Sequence, residues 1–126
     1  EAVGKLYVEK MFPPEAKKTA EEMIEKVVQA YDTRIKALPW MTEDTKEKAL
    51  EKLHKINIKI GYPDEWKDYS ELEVKEGATY FDNRMAASQW NYNRTIEKLG
   101  QPVDKTEWFM PPQIVNAYYS PPFNEI

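Results

Sequence analysis

The chain is 126 residues long, with 32% charged and 41% apolar residues and a net charge of −4. That is the size of one ordinary domain of globular composition. The balance offers no basic footprint for nucleic acid, and no apolar run approaches a membrane span. Without cysteines there are no disulfides and no thiolate metal ligands.

The chain begins Glu1-Ala2-Val3 without an initiator methionine and stops inside an apolar pattern. Both features lead to the expectation of an internal segment of a longer protein. In residues 1–12, Val3, Leu6, Tyr7 and Met11 share one helical face. Pro13-Pro14 interrupts, and Pro14 followed by Glu15 suits a first helical turn. A helix is predicted over Glu15–Leu38, with Ala20, Met23, Ile24, Val27, Val28, Tyr31, Ile35 and Leu38 as its stripe. Pro39 ends it by steering its predecessor out of the α region.

Thr42 is a good N-cap, so a helix is predicted over Glu43–Lys55, with Ala49, Leu50 and Leu53 inside and Asp44–Lys48 and Glu51–Lys55 pairs outside. In "INIKIGYPDEW" the period changes to two, and the pattern leaves open whether the helix continues or a short strand forms. A third long helix is predicted over Ala78–Leu99, stopped by Gly100 and Pro102. The expected architecture is mainly α: a bundle of three to four helices with a short C-terminal edge strand at 113–119.

Chemistry-bearing patterns are scarce. The sole histidine, His54, lies in a lysine-rich helix and reads as a surface or boundary residue; the H-E-x-x-H helix motif is absent. The 22 acidic residues are scattered on helix faces, and no glycine-rich phosphate loop exists. Asn93-Arg94-Thr95 fits a glycosylation sequon but falls mid-helix. No catalytic residue and no metal site is expected within these residues.

The C-terminal stretch differs. From Trp108 to Asn124 there is no charge, and four prolines bracket "QIVNAYYS". In a strand, Asn116 and Tyr118 would face one way, Ala117 and Tyr119 the other. The amide of Asn116 offers a donor and an acceptor, the pair that a peptide unit offers, so it suits a grip on the backbone of an extended peptide. Small Ala117 would leave room for a ligand side chain. The competing reading is an ordinary half-buried strand with Asn116 bonded internally.

The strings "AVGKLYVEKMF", "LPWMTEDTKEKALEKL", "IGYPD", "VDKTEWFMPPQIVNAYY" and the "VNAYYS" within it, followed by Asn124, lie in order and cover nearly the whole chain. Together they resemble segments of the neprilysin-like zinc metallopeptidases. The resemblance implies a larger α-rich zinc peptidase that hydrolyses peptides. Residues 1–60 would join its cap and catalytic domains, and residues 61–126 would begin the catalytic domain. It implies that Asn116 holds substrate backbone through its side chain and Ala117 through its main chain. Zinc would be bound by the parent protein and not by these residues, which alone would be inactive. The implied partners are a peptide substrate and the remainder of the parent polypeptide, without nucleic acid and without membrane contact by this segment. The implied location is extracytoplasmic (secreted, periplasmic or surface-anchored), with a cytoplasmic one left open. The alternative is a stand-alone helical interaction module that binds an extended peptide on its terminal strand.

Overall fold

The structure is a computed structural model and describes residues 1–126. It is helical: α1 spans Ala2–Met11, α2 Pro14–Ala37, α3 Glu43–His54 and α4 Tyr80–Glu97. There is no sheet, only isolated bridges at Asn57–Glu125 and Ser120–Glu125. By contacts the chain falls into two compact units, residues 1–65 with 106–126, and residues 66–105.

In the first unit, α1 ends at Met11 because the Pro13-Pro14 pair follows, and α2 then starts with Pro14 in its first turn beside Glu15. Proline has no N–H to waste there, and the carboxylate meets the positive end of the helix dipole. At its far end Leu38 is extended, as a residue before proline must be. The Thr42 hydroxyl accepts from the Thr45 N–H at 3.3 Å and so caps α3, and α2 and α3 pack together. The predicted stripe of α2 lies against α3 only in part. No apolar side chain reaches full burial, and Met23, Val27 and Tyr31 stay exposed. Two helices and a tail are too few to cover a stripe that wide.

The open alternative at "INIKI" resolves toward pairing. Helix α3 stops at His54, and the backbone of Asn57 and Lys59 runs beside the chain end. The Asn57 N–H donates to the Asn124 carbonyl at 2.8 Å, the Lys59 N–H to Ile126 at 2.8 Å, and the Ile126 N–H returns to Asn57 at 3.0 Å. The bridge is parallel.

The edge strand expected at 113–119 does not form a ladder; those residues carry no strand pairing. A physical reason lies in Asn116 itself. Its Oδ1 accepts the Ala117 N–H at 2.8 Å, which removes a donor that a ladder would use.

In the second unit α4 begins at Tyr80 rather than Ala78. Thr79 and Asp82 form a reciprocal capping box: the Thr79 Oγ1 accepts from the Asp82 N–H at 3.1 Å and the Asp82 Oδ2 from the Thr79 N–H at 3.2 Å. The helix stops at Glu97, two residues short of the expected Leu99, and Gly100 turns the chain with φ 75. Tyr69 stacks on Trp90 at 5.1 Å between centroids, with the Arg94 guanidinium 5.2 Å from the same indole.

Candidate functional site

Asn116 and Ala117 stand in an exposed run from Gln113 to Tyr119, and Val115 beside them is fully exposed. With the Asn116 Oδ1 held by the Ala117 N–H, the amide orientation is set locally. The Asn116 Nδ2 and the Ala117 carbonyl have no partner within the chain. One donor and one acceptor on adjacent residues therefore face solvent, the complement of one peptide unit.

What fixes this run is at its two ends. On one side Pro112 lies against Gly4 of α1, so closely that a Cβ built on Gly4 would stand 2.8 Å from the Pro112 Cδ. That close approach explains why glycine occupies a helix interior, where it is otherwise unfavourable. On the other side the Tyr118 hydroxyl donates to the Glu125 Oε1 at 2.7 Å, and the Tyr119 hydroxyl to the Asn124 Oδ1 at 3.1 Å. Asn124 sits in the left-handed region, φ 47, and its Nδ2 donates to the Lys52 carbonyl in the last turn of α3 at 2.9 Å.

Glu125 is fully buried, an unusual state for a carboxylate. Three donors compensate: the Lys59 ammonium at 2.6 Å and the Asn57 Nδ2 at 2.9 Å from Oε2, with Tyr118 on Oε1. Burial alone would raise the Glu125 pKa, but these donors together outweigh it and hold the carboxyl below its ordinary value. The Tyr118 phenol is pushed up to about 12, first by burial and then by its bond to the Glu125 carboxylate.

The sequence pattern places Tyr118 only on the strand face of Asn116 and does not reveal this cluster. A signal existed: Asn57 and Lys59 are the polar face of the "INIKI" alternation, and Glu125 is the one acid after Glu107. Beneath the tail, the α2 and α3 faces form an apolar groove of about 340 Å³, lined by residues such as Val28, Tyr31, Leu53 and Tyr119.

His54 is exposed, with its Nε2 2.9 Å from the Asp32 Oδ2, and Lys36 pairs with the other oxygen. The hydrogen bond from Lys36 is the main influence lowering the Asp32 pKa. No three His, Cys, Asp or Glu side chains converge as a metal cluster. No helix is long and apolar enough to cross a membrane.

The model of Peptidase family M13 matches residues 1–63. Neprilysin-3 of Drosophila melanogaster is 39% identical over 132 residues, which cover 99% of this chain and 17% of that protein. Neutral endopeptidase of Lactobacillus helveticus is 38% identical over 127 residues, 100% of this chain and 20% of that one. A crystal structure of a Mycobacterium tuberculosis zinc metalloprotease in complex with an inhibitor matches with a TM-score of 0.80 and 44% identity, covering 98% of this chain and 18% of that one. The chain spans about a fifth of the length of the relatives it matches. With the family model matched over half of its residues and this fold shared at that identity, the chain belongs to Peptidase family M13.

Proposed function

We propose that this chain is part of a zinc-dependent endopeptidase that hydrolyses peptides, and that it supplies part of the substrate cleft. The observation that carries the binding role is the exposed pair of Asn116 Nδ2 and Ala117 carbonyl, anchored on both sides yet unpartnered. An extended substrate would place a carbonyl on the amide nitrogen and an N–H on the carbonyl. Such contacts address main chain and not side chain, as a peptidase of varied substrates requires. Residues 1–60 would join the cap and catalytic domains, residues 61–126 would open the catalytic domain, and the location would be extracytoplasmic. Names such as "Membrane metallo-endopeptidase-like 1" among the relatives agree with a surface-associated family.

The residues present do not fit a zinc donor set. The one histidine is engaged with Asp32, and no convergent ligands accompany it. When bound by the parent, zinc would activate water and polarise the scissile carbonyl. The residues of this chain would hold the substrate main chain in register for that attack.

The test is Asn116→Ala in the full-length enzyme. Losing hydrogen bonds at a desolvated site costs about 1–3 kcal/mol, so kcat/KM is expected to fall roughly ten- to hundredfold. Zinc content and thermal midpoint should stay at wild type. An unchanged kcat/KM in a stable, zinc-loaded mutant would remove Asn116 from the cleft.

A further inference from the structure

Residues 107–125 leave one point and return to it. The Lys59 ammonium donates to the Glu107 carbonyl at 2.5 Å and pairs with the Glu125 carboxylate at 2.6 Å. One side chain, 8% exposed, thus ties the start and the finish of the loop that carries Asn116 and Ala117. From its anchor on Lys59, Glu125 reaches back to Tyr118, two residues past Asn116. The backbone bonds of Asn57 and Lys59 to residues 124–126 fix the cationic end of this arrangement to the close of α3.

We propose that Lys59 is a positioning residue for peptide binding: by closing the 107–125 loop on Glu125 and Glu107, it sets where Asn116 and Ala117 stand. The proposal rests on the binding reading of those two residues given above. The plainer account is that a buried ion pair merely occupies space, since such pairs contribute little net stability when exchanged for apolar groups. Two observations favour the positioning role. The apolar contact between the loop's ends, Phe109 on Phe123 at 5.6 Å between centroids, is half open to solvent at Phe109 (55% exposed), whereas the Lys59 side chain is 8% exposed, so the cation is the buried element of the closure. And the ammonium contacts a backbone carbonyl at one end of the loop as well as the carboxylate at the other, which an isolated pair would not need.

The experiment uses the full-length enzyme and an internally quenched synthetic oligopeptide, with kcat and KM measured separately. The variants are Lys59→Met, Tyr118→Phe and Asn116→Ala, and the first two each combined with the third. Lys59→Met is expected to raise KM roughly tenfold or more with kcat within about twofold, because misplaced main-chain contacts are lost from ground and transition states alike. Tyr118→Phe deletes one hydroxyl–carboxylate bond and should raise KM about three- to tenfold. Adding Asn116→Ala to Lys59→Met should cost less than about threefold more, since the contact is already out of place. Full additivity, or a fall in kcat at constant KM, would overturn the proposal. If Lys59→Met does not fold, Tyr118→Phe decides alone: a wild-type KM, or full additivity with Asn116→Ala, refutes it. Should Asn116→Ala by itself leave kcat/KM intact, the binding reading fails instead, which separates the two.

Discussion

Glu125→Gln is the substitution that isolates the charge from the shape of the tail. Glutamine keeps the volume of the side chain, so no cavity opens at a residue with no solvent exposure. It keeps a carbonyl oxygen that can accept from either Tyr118 or Asn57. It cannot neutralise the Lys59 ammonium, which is 8% exposed and has the carboxylate 2.6 Å away. Removing one partner of a buried pair costs about 3–5 kcal/mol, because the remaining charge is left uncompensated. That is a large part of the stability of an ordinary domain. The consequence should be local opening of the tail, read by amide hydrogen exchange in the full-length protein. The reporters are the N–H groups of Asn57, Lys59, Ser120 and Ile126, all bonded across this junction. At about 1.4 kcal/mol per tenfold, their exchange should accelerate roughly a hundredfold to a few thousandfold. Amides inside α4 should hardly change. If the four reporters keep rates within about threefold of wild type, the carboxylate does not hold the junction, and the electrostatic account of the loop is wrong.

The same cluster sets two pH responses. The Glu125 carboxyl is held below its ordinary value of 4.5, so its contribution is fully present above that pH and is lost as pH falls through the lower, folded value. Exchange at the Ser120 amide should therefore begin to quicken only below about pH 4.5; quickening already between pH 7 and 6 would contradict the assignment. The Tyr118 phenol is raised from 10.0 to about 12, so its contribution is present below the unfolded value and lost as pH climbs toward the folded one. The wild-type minus Tyr118→Phe difference in tyrosinate absorbance should step near 12, and a step near 10 would show the phenol free. In an open helix interior, Gly4→Ala would stabilise by about 1 kcal/mol. Here the new Cβ would meet the Pro112 ring, so a net loss of stability is expected in thermal unfolding, and a gain would refute the close approach.

How much of this was legible depended on whether the determining contacts were local. Helix starts at Pro14 and Thr42 are written in adjacent residues and appear where expected. The start of α4 moved to Tyr80 because Thr79 and Asp82, three residues apart, cap each other, a pattern the periodicity reading passed over. The strand at 113–119 failed for an opposite reason. Its composition suits a strand, but pairing needs a neighbour, and the Asn116 side chain takes the Ala117 N–H for itself. The proposed site residues, Asn116 and Ala117, stand out in the sequence as part of an uncharged run with an amide at its centre. Their anchor could not, because Asn57 and Glu125 are 68 positions apart in the chain.

A further asymmetry explains why the deepest residue in the tail is a charge. Apolar burial is strong but non-directional, and it would draw Val115 and Tyr119 inward along with everything else. A segment that presents Asn116 and Ala117 to a ligand, as proposed above, cannot be wrapped that way. Its shape has to come from contacts with a fixed length and angle, made outside the presented residues. Pro112 against Gly4 supplies one such contact, and Glu125 with Lys59, Asn57 and Tyr118 supplies the other. Between them the three residues Val115, Asn116 and Ala117 remain exposed, and the one hydrogen bond among them orients the amide. The buried carboxylate is thus the counterpart of the exposed amide: desolvating Glu125 is offset by its three donors, and nine residues away the Asn116 amide nitrogen stays without a partner in the chain.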